Sequence, residues 1–468
     1  VIASTVSTRA LLTLLFVGVL MGAVDISIIG PALPAIQAEF GMNNRELAVL
    51  FNAYVLCQIV STQLLAKFAD RVGARRVYIF SIGCFALGSL LLVVASAPWM
   101  LYLGRAIQGF GGGGLFPVAA SVIAARLPVK ERGPALGILG AVWGIAFLVG
   151  PILGGVLLRF SWHWLFLINL PVAALLIVGA LRLLPRDEAR PHKPFDIAGA
   201  ATLTTALAAL VLGVNNLDTG ALLASLMSPA VWPLLVLSLA LLPLFWRIEN
   251  RAVDPVLRPA LLRSRQIVTA CLIGAGVGAM QSAGVFYPSL LVDATGIAPA
   301  DAALLLLPGV LVSTVASPLA GKLINIIGTR TVILTSLVIG MVAFQIYGRS
   351  ELTVPIFIVA SMLSGLAMAG LLGAPLRFIV LTEASARDRT SSQGFLSVVM
   401  SIGRLLGAAT VGAVATSAGG GAPGYQSAFV GMSILGGTLL LIGLGLRRRD
   451  AEQQLIAQRE AAPAASRG

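Results

Sequence analysis

Apolar runs of about 20 residues, repeated along nearly the whole chain and separated by short basic or Gly/Pro-rich breaks, leave few folds open. At 1.5 Å per residue such a run spans roughly 30 Å of hydrocarbon as a helix, and only a helix satisfies its own backbone there. The spans read near 11–36, 46–66, 77–97, 99–125, 134–158, 163–184, 197–214, 229–246, 266–292, 302–324, 331–348, 353–381, 391–417 and 427–446. The seventh and eighth are the weakest, since short apolar runs can also be re-entrant. Composition agrees, because 58% hydrophobic and 11% charged residues cannot clothe a soluble globule of 468 residues. The first run is longer than the core of a signal peptide and many like it follow, so it reads as a retained span rather than an export signal. Because the chain begins at Val1, a few native residues are expected to precede it.

Orientation follows from the basic residues, which concentrate in cytoplasmic loops. With the N-terminus inside, 26 of the 32 Lys and Arg fall in cytoplasmic segments, three (Arg45, Arg159, Arg349) outside and three (Arg105, Arg377, Arg404) within spans. The pattern predicts a multi-pass protein of the cell (inner) membrane with both termini cytoplasmic. Connectors near 39–46, 215–228, 293–301 and 418–426 are then outside. The net charge of +13 is spread loop by loop over one face, which argues against a nucleic-acid partner. Cys57, Cys84 and Cys271 lie within apolar spans without C-x-x-C spacing, and His163 and His192 fall on opposite sides of the membrane. No metal, cofactor or catalytic constellation is expected, so the chain does not read as an enzyme. A nucleotide-binding G-x-x-x-x-G-K-S/T run is absent from the sequence.

A parallel repeat organises the spans. "KFADRVGARRV" at 67–77 aligns without a gap with "KLINIIGTRTV" at 322–332, an offset of 255. "ARLPVKERG" and "LTEASARDRT" follow the fourth and twelfth spans, and "GILGAVWGIAFLVGPILGG" aligns with "GFLSVVMSIGRLLGAATVGA" at an offset of 257. Spans 1–6 therefore recur as spans 9–14, and an even number of helices keeps both copies in the same orientation. The expected organisation is a six-helix bundle over 1–184, a connector over 185–265 carrying inserted helices 7 and 8, a second six-helix bundle over 266–446, and a cytoplasmic tail over 447–468.

Five motifs in order resemble the major facilitator superfamily, specifically its fourteen-helix drug:proton antiporter branch, and the resemblance covers nearly the whole chain. "AKFADRVGARR" is similar to G-x-x-x-D-R-x-G-R-K/R through Asp70, Arg71, Gly73 and Arg75, with Arg76 following and with Ala66 and Ala74 replacing a Gly and an Arg. "LYLGRAIQG" is similar to L-x-x-x-R-x-x-Q-G. "AFLVGPILGG" resembles the antiporter motif G-x-x-x-G-P-x-x-G-G through Gly150, Pro151, Gly154 and Gly155, with Ala146 in place of the first Gly. "VDISIIGPALP" resembles L-D-x-T-x-x-N-x-A-L-P in the first span, and "WHWLFLINLP" resembles W-R-W-x-F-x-x-N-x-P in the sixth. Ser27, Gly30, Pro31 and His163 depart from those patterns. The resemblance implies an all-α integral membrane protein with two parallel six-helix bundles plus two inserted helices. It also implies a monomeric transporter that exports amphiphilic small molecules in exchange for protons. The rival readings are a lipid or organic-anion exporter on the same scaffold and a non-transporting membrane receptor.

Asp25 is the one acid deep in the first span, and Arg105 lies at similar depth in the fourth. Burial favours the neutral acid and a neighbouring guanidinium favours the anion, so a movement that makes or breaks the pair would switch proton binding. The plainer reading is a permanent ion pair that fixes two helices. "GFGGGG" contains Gly109, Gly111 and Gly114 at dinucleotide-fingerprint spacing, but with no strand before it the run reads as close helix packing. The Gly150–Gly155 cluster reads either as a kinked interface that controls leakage or as a packing seam alone. The Asp70 loop reads as a latch between the two copies, as the resemblance implies, or as ordinary positive-inside decoration. Candidate cavity residues are Asn52, Tyr54, Gln58, Gln63, Gln108, Trp143, Gln281, Tyr287, Gln345, Arg377 and Arg404, some of which are expected to serve instead as interhelical hydrogen bonds. Spans 9–14 carry no acid at mid-depth, since Asp293, Asp301 and Glu383 fall near span ends, whereas Arg377 and Arg404 lie within. Arg377 is near enough to the inner face to snorkel; Arg404 is about as deep as Asp25.

Overall fold

The computed structural model describes residues 8–127, 129–184, 197–251, 264–383 and 389–454, and all regular structure among them is helical. The first part of the chain forms α1 (Thr8–Phe40), α2 (Asn44–Val72), α3 (Ala74–Val93), α4 (Pro98–Arg126), α5 (Val129–Leu157), α6 (His163–Leu167) and α7 (Asn169–Leu183). Next come α8 (Ile197–Asn215), α9 (Leu222–Leu226) and α10 (Trp232–Arg251). The remainder forms α11 (Arg265–Ala283), α12 (Tyr287–Thr295), α13 (Pro299–Leu304), α14 (Leu307–Ile327), α15 (Thr329–Arg349), α16 (Val354–Leu372), α17 (Ala374–Glu383), α18 (Arg389–Ser417) and α19 (Gly421–Gly443).

Prolines account for the four broken spans. Pro171, Pro288, Pro308 and Pro375 each stand two or three residues after a break, and each removes the N–H that would have bonded the carbonyl four residues earlier. The pairs α6–α7, α11–α12, α13–α14 and α16–α17 therefore each cross as one bent span. Counted this way, twelve helices among the described residues are long and apolar enough to cross a membrane. The fifth and seventh of the fourteen expected spans fall short of that criterion, as the shorter apolar helices Ile145–Leu157 and Ala201–Asn215. In both, the continuous run of described side chains starts partway along the helix.

Positions one repeat offset apart share local backbone geometry. Gly73 between α2 and α3 and Gly328 between α14 and α15 both have left-handed φ, 100° and 81°. No other residue type enters that region cheaply, so the glycine at offset 255 makes the same tight turn twice. One copy later than Ala97, which precedes α4 in extended conformation with Pro98 in the first turn, Thr353 precedes α16 in the same way.

The chain divides into two compact units. One comprises 1–256, 284–307 and 408–425; the other comprises 257–283, 308–407 and 426–468. In the first, α4 packs on α2 and α3 through glycines. A Cβ on Gly109 or Gly113 would overlap the α2 backbone at Tyr54 or Gln58, and one on Gly111 or Gly114 would strike Ser81 of α3. The glycine run thus lets α4 lie in close contact with two helices at once, and it is not a loop that could cradle phosphate. In the second unit, Gly278 of α11 meets the Met400 carbonyl of α18, while Gly403 and Gly407 of α18 meet the α11 backbone at Ala275 and Ala279. That pairing is the counterpart, one repeat later, of α1 against α5.

Candidate functional site

Four helices bring five polar side chains together around Asp25, in the first compact unit. Arg105 Nη1 of α4 donates to Asp25 Oδ2 at 2.6 Å. Gln108 Nε2, one turn along α4, donates to Asp25 Oδ1 at 2.7 Å, and Asn169 Nδ2 at the start of α7 donates to the same oxygen at 3.3 Å. Ser89 Oγ of α3 accepts from Gln108 at 2.9 Å and from Asn169 at 3.3 Å, while Gln108 Oε1 accepts from Arg105 Nη1 at 2.8 Å. Tyr54 of α2 lays its ring under the guanidinium, 4.2 Å from Cζ to the centroid. Asp25, Arg105, Gln108, Ser89 and Tyr54 are fully buried, and Asn169 nearly so.

The electrostatics of this arrangement are closed. A carboxylate and a guanidinium removed from water each lose several kcal/mol of hydration, which only close pairing and further hydrogen bonds offset. Here Asp25 receives three donors, and a cation–π contact covers the guanidinium face. Arg105 Nε and Nη2 have no hydrogen-bond partner, so the ring of Tyr54 substitutes for water on that side. In this arrangement the acid has no solvent contact, and exchange of a proton requires the surrounding helices to move.

The expected depths place Asp25 and Arg105 together, though on altered geometry. α1 runs to Phe40, a turn beyond the expected end of its span, so Asp25 stands fifteen residues from that end rather than eleven. Gln108 and Tyr54, expected as cavity residues, are instead members of the charge network. Sequence reasoning missed Ser89 and Asn169 as members. The signal for Asn169 was its place as the amide of the sixth-span motif, "WHWLFLINLP".

The Gly150 cluster faces α1. A Cβ on Gly150 would overlap the Ser27 hydroxyl, one on Gly154 would press Pro31 and Ala303, and one on Gly155 would overlap Leu304 of α13. Pro151 is buried. Ser27 Oγ donates to the Ala146 carbonyl of α5 at 2.8 Å. Gly30 admits the Val285 carbonyl. Four departures from the family patterns, Ser27, Gly30, Pro31 and Ala146, therefore lie along the contacts that α1 makes with α5 and with the turn before α12, and the first and last touch each other. His163 stacks on Trp162 at 3.8 Å between ring centroids.

Other candidates are dispersed. The Asp70 side chain, like those of Gln63 and Trp143, lies outside the described residues. Arg71 and Arg76 are exposed, and Arg75 Nη2 donates to the Leu181 carbonyl at 2.7 Å, a cation at the C-terminal end of α7. Asn52 is buried; Gln58 and Gln281 are half-buried; Tyr287 is nearly buried. Gln345 Nε2 donates to Ser433 Oγ at 3.0 Å, an interhelical bond between α15 and α19. In the second unit, Arg377 is exposed and exchanges hydrogen bonds with Gln393, and half-buried Arg404 donates to Ser401 Oγ at 2.6 Å. Among the described residues no group of three His, Cys, Asp or Glu could hold a metal ion.

Comparison with known proteins gives a consistent result. The chain matches the family model for the Major Facilitator Superfamily over residues 15–282 and 267–467. The uncharacterized MFS-type transporter YfiU of Bacillus subtilis (strain 168) is 34% identical over 409 residues, covering 86% of this chain and 78% of that relative. Multidrug resistance protein 3 of the same organism is 27% identical over 426 residues, covering 89% and 81%. The multidrug transporter protein MdtP, also from that organism, is 28% identical over 417 residues, covering 88% and 76%. Among solved structures, a bacterial homologue of the human lysosomal transporter Spinster, inward-facing and occupied, superposes with a TM-score of 0.67 at 16% identity, covering 99% of this chain and 100% of that one. The nucleoside transporter NupG gives 0.63 at 15% identity, covering 96% and 98%. At such identities the likeness establishes a shared fold.

Proposed function

The chain belongs to the major facilitator superfamily, and from that premise we propose that it exports amphiphilic small molecules in exchange for protons by alternating access. The observation that carries the proposal is the fully buried Asp25–Arg105 pair, held by Gln108 and Asn169. A bundle that needed only packing would fill this place with apolar side chains at no desolvation cost. An acid that must alternately hold and release a proton needs both a cation to stabilise the charged form and a dry site to stabilise the neutral one. Two of the relatives named above carry multidrug names, which supports a drug-like substrate. In this reading the protein is a monomer with fourteen spans, α5 and α8 included, in a cell (inner) membrane with both ends cytoplasmic. The 1–184 and 266–446 segments are the two rocking bundles, and the Asp70, Arg71, Gly73, Arg75 and Arg76 loop is their cytoplasmic latch. The Gly150, Pro151, Gly154 and Gly155 cluster is the seam on which α1 and α5 stay closed to leakage.

The topology is testable by labelling. Single cysteines near 39–46, 215–228, 293–301 and 418–426 should react with an impermeant maleimide in intact cells, and one in the 185–196 connector should react only after permeabilisation. Outside labelling of the 185–196 connector would reverse the assignment.

Charge selectivity supports a second reading, of lipid or organic-anion export. The second half has Arg377 and Arg404 within its spans and no acid at mid-depth, since Asp293 ends α12, Asp301 opens α13 and Glu383 ends α17. In this reading a site with one acid and up to three arginines repels dications. Purified protein in proteoliposomes with an imposed proton gradient should move neutral, monovalent or anionic amphiphiles and leave bisquaternary dications behind. Proton-driven flux of a dication, unaltered by Arg404→Ala, would defeat the selectivity argument, and absence of gradient-driven flux for every class would defeat the transport reading.

A further inference from the structure

The inserted helices are bonded to both copies of the repeat at one place, within the first compact unit. α8 packs on α10 and on α2. At its end Asn215 Nδ2 donates to the Arg45 carbonyl at 3.3 Å, and Arg45 Nη2 donates back to the Leu217 carbonyl at 2.7 Å. The same Nη2 donates to Ser417 Oγ at 3.2 Å, and Ser417 Oγ also accepts the Thr219 backbone N–H at 3.1 Å. Arg45 lies in the first turn of α2, in the first copy; Ser417 is the last residue of α18, in the second. The 215–219 connector therefore lies over a junction between two helices that belong to different copies.

The junction itself is closely packed. A Cβ on Gly412 of α18 would press Ala48 and the Asn44 carbonyl of α2, and Tyr425 Oη donates to Asn44 Oδ1 at 3.0 Å. The backbone of Arg45 is held by the helix cap before it. Asn43 Oδ1 accepts the N–H groups of Arg45 and Glu46 at 2.9 and 3.0 Å, and Glu46 Oε2 accepts the Asn43 N–H at 2.7 Å. The cap fixes the backbone from which the Arg45 side chain reaches both acceptors, the Leu217 carbonyl and Ser417 Oγ.

We infer that the inserted pair α8–α10 is a clamp on the α2–α18 junction, and not merely a spacer between the bundles. The connector stays with α2, to which α8 packs and Asn215 bonds, and the two hydrogen bonds at Ser417 part whenever α18 leaves α2. The clamp thereby weights the conformational equilibrium toward the form closed at this end, which the proposed topology puts outside. Its consequence for transport rests on the alternating-access reading; its effect on the junction does not.

Two measurements test it in a background with Cys57, Cys84 and Cys271 replaced by serine. Spin labels at the exposed positions Ala38 and Ala418 report the junction by double electron–electron resonance, without any substrate. Ser417→Ala removes both bonds at once. It should raise the population of long distances about tenfold, the factor that roughly 1.4 kcal/mol from two lost hydrogen bonds corresponds to; an unchanged distribution would overturn the clamp. The pair Thr219→Cys and Ser417→Cys, joined by oxidation, should lower proteoliposome flux at least about tenfold and recover it on reduction, which also controls for folding. Undiminished flux through the cross-linked protein would overturn the inference equally. If no variant and no parent protein moves any substrate, the transport reading fails while the spin-label result still decides the clamp.

Discussion

Asp25→Asn is expected to abolish proton-driven efflux while leaving substrate binding within a few-fold of the parent protein. The amide keeps the shape of the carboxylate but binds no exchangeable proton, so the coupling step has no carrier. Geometry predicts a stability cost as well. Asp25 Oδ2 accepts from Arg105, and Oδ1 accepts from Gln108 and Asn169, so whichever position the new NH₂ takes, a donor faces a donor. Rotating the Gln108 amide would relieve one conflict but remove the oxygen that now accepts from Arg105 Nη1 at 2.8 Å. Neutralising Asp25 also leaves the Arg105 guanidinium buried without its counter-ion, so the variant breaks the pair from one side and about 3–5 kcal/mol of destabilisation follows, read as a fall in melting temperature. Flux under a pH gradient, counterflow without one, and ligand-induced thermal shift separate the effects. Gradient-driven efflux at the parent rate would remove Asp25 from the mechanism; loss of ligand binding would assign it to the substrate site instead.

The fold was legible because its determinants are one-dimensional. A span needs about twenty apolar residues whatever its neighbours are, and a turn such as Gly73 or Gly328 needs a glycine wherever it occurs. Charges within spans are conspicuous for the same reason, which is how Asp25 and Arg105 stood out. What surrounds them was less legible. Ser89, Gln108 and Asn169 lie on three helices, and a serine or amide in a span can equally bond a carbonyl of its own turn, as Thr62 does to Gln58 or Ser282 to Ala279. Direction decides between those outcomes, and direction depends on helix rotation, which no spacing within a single helix records. Gln108 and Tyr54 were assigned to a cavity on polarity alone and turn instead toward Arg105.

Glycine seams show the same division. The density of "GFGGGG" and "GPILGG" signals close approach, but the partner of each glycine depends on tertiary packing. Gly109 and Gly113 face α2, Gly111 and Gly114 face α3, and Gly154 touches both α1 and α13. The departures from family pattern are explained at this level and not below it. Ser27 fills the notch that Gly150 leaves and bonds the backbone carbonyl of Ala146, a contact that depends on the small residue at 150 and not on the side chain at 146.

Arg105→Ala should be the more damaging substitution for the folded protein, and the reason gives it a distinctive test. Removal of the guanidinium strands Asp25 in a site with no solvent contact, where only Gln108 and Asn169 still donate to it, and leaves a cavity over the Tyr54 ring. Breaking a buried pair from one side costs about 3–5 kcal/mol, much of it the penalty of the charge left behind. A second substitution that removes that charge should therefore restore part of the loss: the double variant Arg105→Ala with Asp25→Asn is expected to be more stable than Arg105→Ala alone. The interaction energy has the sign of direct coupling and a size of about 1–3 kcal/mol. Melting temperatures of the four proteins in one detergent measure it. Additive effects would mean that the two residues act on stability independently, in which case the buried pair merely occupies space between α1 and α4 and cannot serve as the element that proton binding switches.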